Sequence, residues 1–186
     1  LLAGCVVENS RPEPAPVDPA KALERRASLA RQYIGGGDWE NAKRNLELAA
    51  AIDADNADVL EAFALVYQIT GEFELAESNF KEALDAGAGS RARNNYAAFL
   101  YAQGRYVEAA AAFREVTSDT LYSGRPRAFV NLGLALLQTQ ENQEAKSAFS
   151  RVLLMEPRNS TALRELTQIE LTEGDVWNFI GLAGWI

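Results

Sequence analysis

Apolar side chains recur along this chain with the three- and four-residue steps of an α-helix. One spacing appears four times: Leu29/Ala30/Tyr33, Phe63/Ala64/Tyr67, Tyr96/Ala97/Leu100 and Leu132/Gly133/Leu136. A large residue, a small one and a second large one then share a helical face. A second pattern follows each of these at i, i+4, i+7: Ala42/Leu46/Ala49, Ala76/Phe80/Ala83, Ala109/Phe113/Val116 and Ala145/Phe149/Val152. Each of these sets is one apolar stripe, so the pattern predicts pairs of helices, the small residue of the first letting the second approach closely.

Between the two helices of each pair lies a polar turn. These turns read "GDWENA" from Gly37, "GEFELA" from Gly71, "GRYVEA" from Gly104 and, less regularly, "QENQEA" from Gln140, with spacings of 34, 33 and 36 residues. A fixed period of this length means stacked two-helix units. Aligned on the turns, the units run 23–56, 57–90, 90–123 and 126–159, with "YSGRPR" from Tyr122 as a longer connection. Asp18-Pro19 starts the first helix as N-cap and first helical residue, and Pro157 stops the last helix of the fourth unit. The competing reading is an unrelated helical bundle. In a stack, each stripe is buried only against a neighbour, so the stripe residues are core and not a cofactor box.

The period, the small residues and the aromatic after the turn (Trp39, Phe73, Tyr106) resemble the tetratricopeptide repeat, or TPR. The proline at unit position 32 agrees only in the fourth unit; Ala54, Ala88 and Leu121 stand there in the others. The resemblance spans roughly residues 23 to 173. It implies an all-α, right-handed superhelix (α-solenoid) of four full repeats and a partial fifth, with the first helices lining a concave surface. Positions on that face include Arg31, Ile34, Glu61, Leu65, Gln68, Ile69, Asn94, Tyr101, Val130, Leu134 and Leu137. Several are large and apolar beyond what the inter-helix core needs, which predicts a groove for an apolar peptide or amphipathic helix. The alternative is tighter helix packing, or cover by the N-terminal tail. Some TPR proteins clamp a C-terminal carboxylate with Lys, Arg and Asn; those positions here hold Ala27, Arg31, Ala62, Arg91 and Asn95, so a chaperone-tail clamp is not expected.

Charge and composition narrow the chemistry. The net charge is −8 and no basic patch is visible, so nucleic acid is not an expected partner. There is no histidine and one cysteine, which excludes Ser-His and Cys-His catalysis, an internal disulfide and a multi-cysteine zinc site. The acidic run "EFELAESNFKEALD" reads as a solvated helix face with pairs such as Glu77–Lys81. No enzyme activity, metal or cofactor is expected. The expectation is a monomeric binding scaffold.

The one cysteine sits in "LAGC", Leu2–Cys5, followed by the Pro- and Glu-rich "VVENSRPEPAP". No 18-residue apolar run is present to span a membrane. "LAGC" resembles a bacterial lipobox, in which the cysteine becomes a lipidated N-terminus, and a buried free cysteine is the alternative. On this reading residues 1–5 are lipobox and residual signal, 6–18 a flexible tether, 19–175 the repeat array and 176–186 an apolar tail. Val6 after the cysteine, in place of Asp, implies by the same resemblance an outer-membrane lipoprotein facing the periplasm.

Lipobox, tether and repeats, with "NNYAAFLYAQGRYVEAAAAF" as the most family-like stretch, resemble the type IV pilus biogenesis lipoproteins of the PilF/PilW pilotin family. That resemblance implies a non-enzymatic scaffold that binds the outer-membrane secretin and promotes its localisation and multimerisation for pilus biogenesis and twitching motility. Another periplasmic TPR lipoprotein, serving outer-membrane protein assembly or peptidoglycan synthesis, is the alternative. The family has about six repeats. Here the fifth starts in register at "EGD", and "VWNFIGLAGWI" then puts Phe179 where the small residue belongs. This reads as a truncation or frameshift, or as an end that docks on a partner.

Overall fold

The computed structural model describes residues 18–173; Cys5, the tether before Asp18 and the tail 176–186 lie outside the described residues. Among the described residues all regular structure is helical: α1 (Pro19–Gly36), α2 (Trp39–Ala50), α3 (Ala57–Thr70), α4 (Phe73–Asp85), α5 (Ser90–Ala102), α6 (Tyr106–Ser118), α7 (Arg125–Gln138), α8 (Asn142–Met155) and α9 (Ser160–Glu173). The starts are where short polar side chains can take orphan amides. Asp18 accepts from Ala20 N at 3.0 Å, Asp38 from Asn41 N at 3.1 Å and Asn159 from Ala162 N at 3.0 Å.

α1/α2, α3/α4, α5/α6 and α7/α8 are hairpins, each helix packing most extensively on its own partner. Successive first helices also touch: α1 on α3, α3 on α5, α5 on α7; the second helices make no comparable contact with one another. Closer spacing on one side than on the other curves the stack, with the first helices on the inner wall. The small residues sit where the helices of a pair cross. Ala30, Ala64 and Ala97 are fully buried, as are Ala42, Ala76, Ala109 and Ala145 opposite them. Beside them Leu46, Phe80, Phe113 and Phe149 fill the space between repeats. The apolar interior forms two clusters that meet at α3: Val59, Ala62 and Val66 belong with the first repeat, and Ala64 with the large cluster of the later ones.

The turn inside each hairpin needs one left-handed residue. Gly104 takes it at φ 75°, and Gln140 takes the same place in the fourth repeat at φ 64°. A Cβ makes that conformation costly, so Gln140 is strained where a glycine would not be. Gln140→Gly is expected to stabilise the fold by about 0.5–1 kcal/mol, read from thermal unfolding.

Cations tie neighbouring repeats together on the outer wall. Arg105, in the α5–α6 turn, donates to Glu77 of α4 at 2.7 Å and to Glu108 at 2.6 Å. Arg114 of α6 reaches Glu141 at 3.1 Å and Glu144 at 2.7 Å. The Glu77–Lys81 pair also forms, at 2.8 Å. Held first by Arg105 and then by Lys81, the Glu77 carboxyl drops from the ordinary 4.5 to about 2. A folded-state value below the free one means that the stabilisation is complete above pH 4.5 and is lost as pH falls from there towards 2. Much of the shift is screened by solvent, so Glu77→Gln is expected to cost about 1–2 kcal/mol at neutral pH. Acid titration of unfolding checks this: the variant loses less stability than the parent between pH 5 and pH 3, values of about that range following from the free and folded positions of the group.

Candidate partner-binding groove

The inner wall has a polar edge and an apolar edge, both set by position along the first helices. Near the starts of α3 and α5, Asp58 lies 2.7 Å from Arg91, and it is also 3.7 Å from Arg31 in the second half of α1. Arg91 also pairs with Glu61, whose second partner is the Asn95 amide, donating at 2.8 Å. Burial pushes the Glu61 carboxyl above its ordinary value, and Arg91 and Asn95 pull it back only in part. Arg91 and Asn95, at two of the carboxylate-clamp positions, are thus already engaged by α3 and offer a C-terminal tail little.

The apolar edge takes in Val130, at the fifth position of the fourth repeat, and otherwise lies further along the same helices. Leu65, Tyr101, Val130, Leu134 and Leu137 are half-buried, resting on the large core cluster with one side open. Ile34 rests likewise on the first-repeat cluster, Gln68 is half-buried and Ile69 is 50% exposed. Burial lifts the Tyr101 phenol above its usual value, helped by Tyr106, whose ring stands edge-on at 5.1 Å.

Glu61 and Asn94 depart from the sequence reading, which put them on the open wall. Each is 2% exposed. Both stand at the fifth position of their repeat, as does Ala27, also 2% exposed, and that position faces the seam with the next first helix. Glu61 there meets Arg91 and Asn95, the second and sixth positions of the following repeat. The same register sets Asn94 opposite Arg127 and Asn131.

Sequence reasoning missed Ala98 and Asn131. With Tyr101, Phe113 and Leu134 they line a pocket of about 70 Å³ between α5 and α7. Ala98 occupies a wall position, the ninth of its repeat, but its small side chain carries no signal of its own. The sixth-position asparagine recurs at Asn95 and Asn131, a signal that was present in the sequence.

Among the described residues no group of three or more His, Cys, Asp or Glu could hold a metal ion, and no helix is long and apolar enough to cross a membrane. Paired helices stacked around an open, partly apolar inner wall define a repeat scaffold. The tetratricopeptide-repeat family model matches residues 61–126 and 130–180. Type IV pilus assembly protein PilF of Pseudomonas aeruginosa is 35% identical over 171 residues, covering 90% of this chain and 68% of that protein. A solved structure of Pseudomonas aeruginosa PilF superposes with a TM-score of 0.80 at 34% identity, over 84% of this chain and 71% of the other. PilW, a widely conserved type IV pilus biogenesis factor, superposes with a TM-score of 0.74 at 25% identity, over 83% and 71%. YrrB, a TPR protein with an unusual peptide-binding site, shares the fold at 17% identity with a TM-score of 0.70, over 89% of each chain. The chain belongs to the tetratricopeptide-repeat proteins of type IV pilus biogenesis.

Proposed function

We propose that this protein is a lipid-anchored, non-enzymatic scaffold whose inner wall holds a segment of the type IV pilus secretin. Through that grip it brings secretin subunits to the outer membrane and promotes their assembly into the ring through which the pilus emerges. The observation that carries the reading is the row of half-buried Leu65, Tyr101, Val130, Leu134 and Leu137 on one open wall. Apolar surface of this kind drives association roughly in proportion to the area covered. The family membership supports the pilus context. The anchor would be Cys5 in "LAGC". One acyl chain binds a membrane marginally and reversibly, so stable attachment takes more than one. Confinement to one membrane surface raises the effective concentration of the two partners without any new contact.

Capture of periplasmic secretin fragments by the full chain tests the grip. Leu65→Glu and Ile69→Glu each put a charge where an apolar contact is expected and should weaken capture at least tenfold, about 1.4 kcal/mol. Secretin capture unchanged in both variants removes the groove from the mechanism. In cells, Cys5→Ala should leave the array folded but reduce secretin multimers at the outer membrane; unchanged multimers remove the anchor.

A further inference from the structure

We propose that the edge of the stack carrying the α6–α7 and α8–α9 connections is a second interaction surface, which rests on an anionic lipid bilayer. This goes beyond the grip of the inner wall and does not depend on what that wall holds.

First helices start, and second helices end, at one edge of the stack. Ser90, the first residue of α5, donates to Asp119 just past α6 at 2.5 Å, and Arg125, the first of α7, donates to the Thr117 carbonyl at 2.8 Å. The starts of α3 and α5 lie side by side through Asp58 and Arg91. The connections between repeats therefore project from this edge, and α1 starts there too, at Pro19.

The last two connections carry apolar tips. Leu121, between α6 and α7, is 93% exposed, Leu154, at the end of α8, is 77% exposed and Met155 beside it 38%. Close to them in the chain, Arg127 in the first turn of α7, Arg151 in the last turn of α8 and Arg158 before α9 are exposed and make no ion pair among the described residues. The two carboxylates of these connections are already engaged. Asp119 accepts from Ser90 and from the Leu121 amide, and Glu156 accepts from the Asn159 side chain at 2.8 Å. On a chain of net charge −8 this is a local basic spot with aliphatic points. Such a surface suits a bilayer interface, where aliphatic side chains enter the acyl boundary and guanidinium groups stay among anionic headgroups.

Charge selects this edge over the opposite one. Val107 and Leu171 are exposed there as well, at 72% and 53%. The turns on that side carry Glu72, Glu74, Glu108, Glu141 and Glu144, however, and Arg105 and Arg114 are committed to carboxylates. An anionic surface repels that edge. The α2–α3 connection carries Asp53 and Asp55, which confines the contact to the later repeats. A contact of a few side chains is weak for a free molecule, and tethering at the surface makes it populated by raising the effective concentration.

The single cysteine supplies the tether for a test, whatever it carries in the cell. The full chain is coupled through Cys5 to a maleimide-headgroup lipid in nanodiscs of phosphatidylethanolamine and phosphatidylglycerol containing a gadolinium-chelating lipid. Methyl NMR should show Leu121, Leu154 and Met155 broadened at least about fivefold more than Val107 and Leu171, and phosphatidylcholine discs should remove most of the difference. Arg151→Glu with Arg158→Glu, and separately Leu121→Ser, alter exposed side chains only. Each should cut the broadening at least about threefold while thermal unfolding stays unchanged. Equal broadening at both edges, broadening at neither, or broadening that survives the double charge reversal overturns the proposal. Leu121→Ser should capture secretin fragments as the parent does; lost capture would put a protein on this edge and also overturns it. If the parent captures no secretin, the inner-wall reading fails, and the nanodisc spectra still decide the edge.

Discussion

Phe80→Ala is expected to lower the free energy of unfolding by about 3–5 kcal/mol, the range for removing a buried phenylalanine ring. Phe80 is fully buried between the second and third repeats. Its ring lies 5.7 Å from Tyr96 and 5.6 Å from Phe99, and around it stand Ala64, Ala76 and Ala97. Alanines cannot extend into a cavity, and the two helix backbones are held at the distance that their own crossing sets, so little collapse is available to offset the loss. In a repeat protein, stability is the sum of units and nearest-neighbour interfaces. The damage therefore falls on one interface, and urea unfolding should show a lower midpoint with the first hairpins melting ahead of the rest. A loss under 1 kcal/mol would mean that the interface closes over the gap, contrary to the packing seen here.

Gly133→Ala is expected to destabilise by about 1–3 kcal/mol, the cost of overfilling a packed core. The direction is the informative part. In an ordinary helix interior the same change gains roughly 0.5–1 kcal/mol. Here a Cβ on Gly133 would stand 2.6 Å from the Phe149 ring, and Phe149 is fully buried. The other three repeats hold Ala30, Ala64 and Ala97 at this place. In repeat four the Phe149 ring occupies the space that a methyl at position 133 would take. Adding Phe149→Leu to Gly133→Ala should return part of the loss in a double-mutant cycle, because the two sites share one space. A stabilised single variant would show that the contact is not there.

The fold was legible because the repeat writes it four times. Ala30, Ala64 and Ala97 recur at one spacing with Ala42, Ala76 and Ala109 facing them, and no strand or mixed fold produces that pairing of small residues. Even the turn residue Gln140, which breaks the glycine pattern, kept its place in the count and takes the left-handed conformation that its place demands. The groove was legible only in outline. Helical spacing tells which side of α3 Glu61 is on, but a seam between two first helices and the open wall differ by a fraction of a turn. The neighbouring repeat decides between them. The pocket at Ala98 escaped because a cavity is made by what is missing, and a small side chain carries no signal until its surroundings are placed.

The meeting of the two apolar clusters at α3 has a mechanical consequence. A force applied at Asp18 is felt first by α1 and α2, whose cluster shares only α3 with the remainder. Those two helices would peel away while α5 and α7, and whatever they hold, stay intact. The first hairpin then serves as a fuse, lengthening under tension while the later repeats keep their packing.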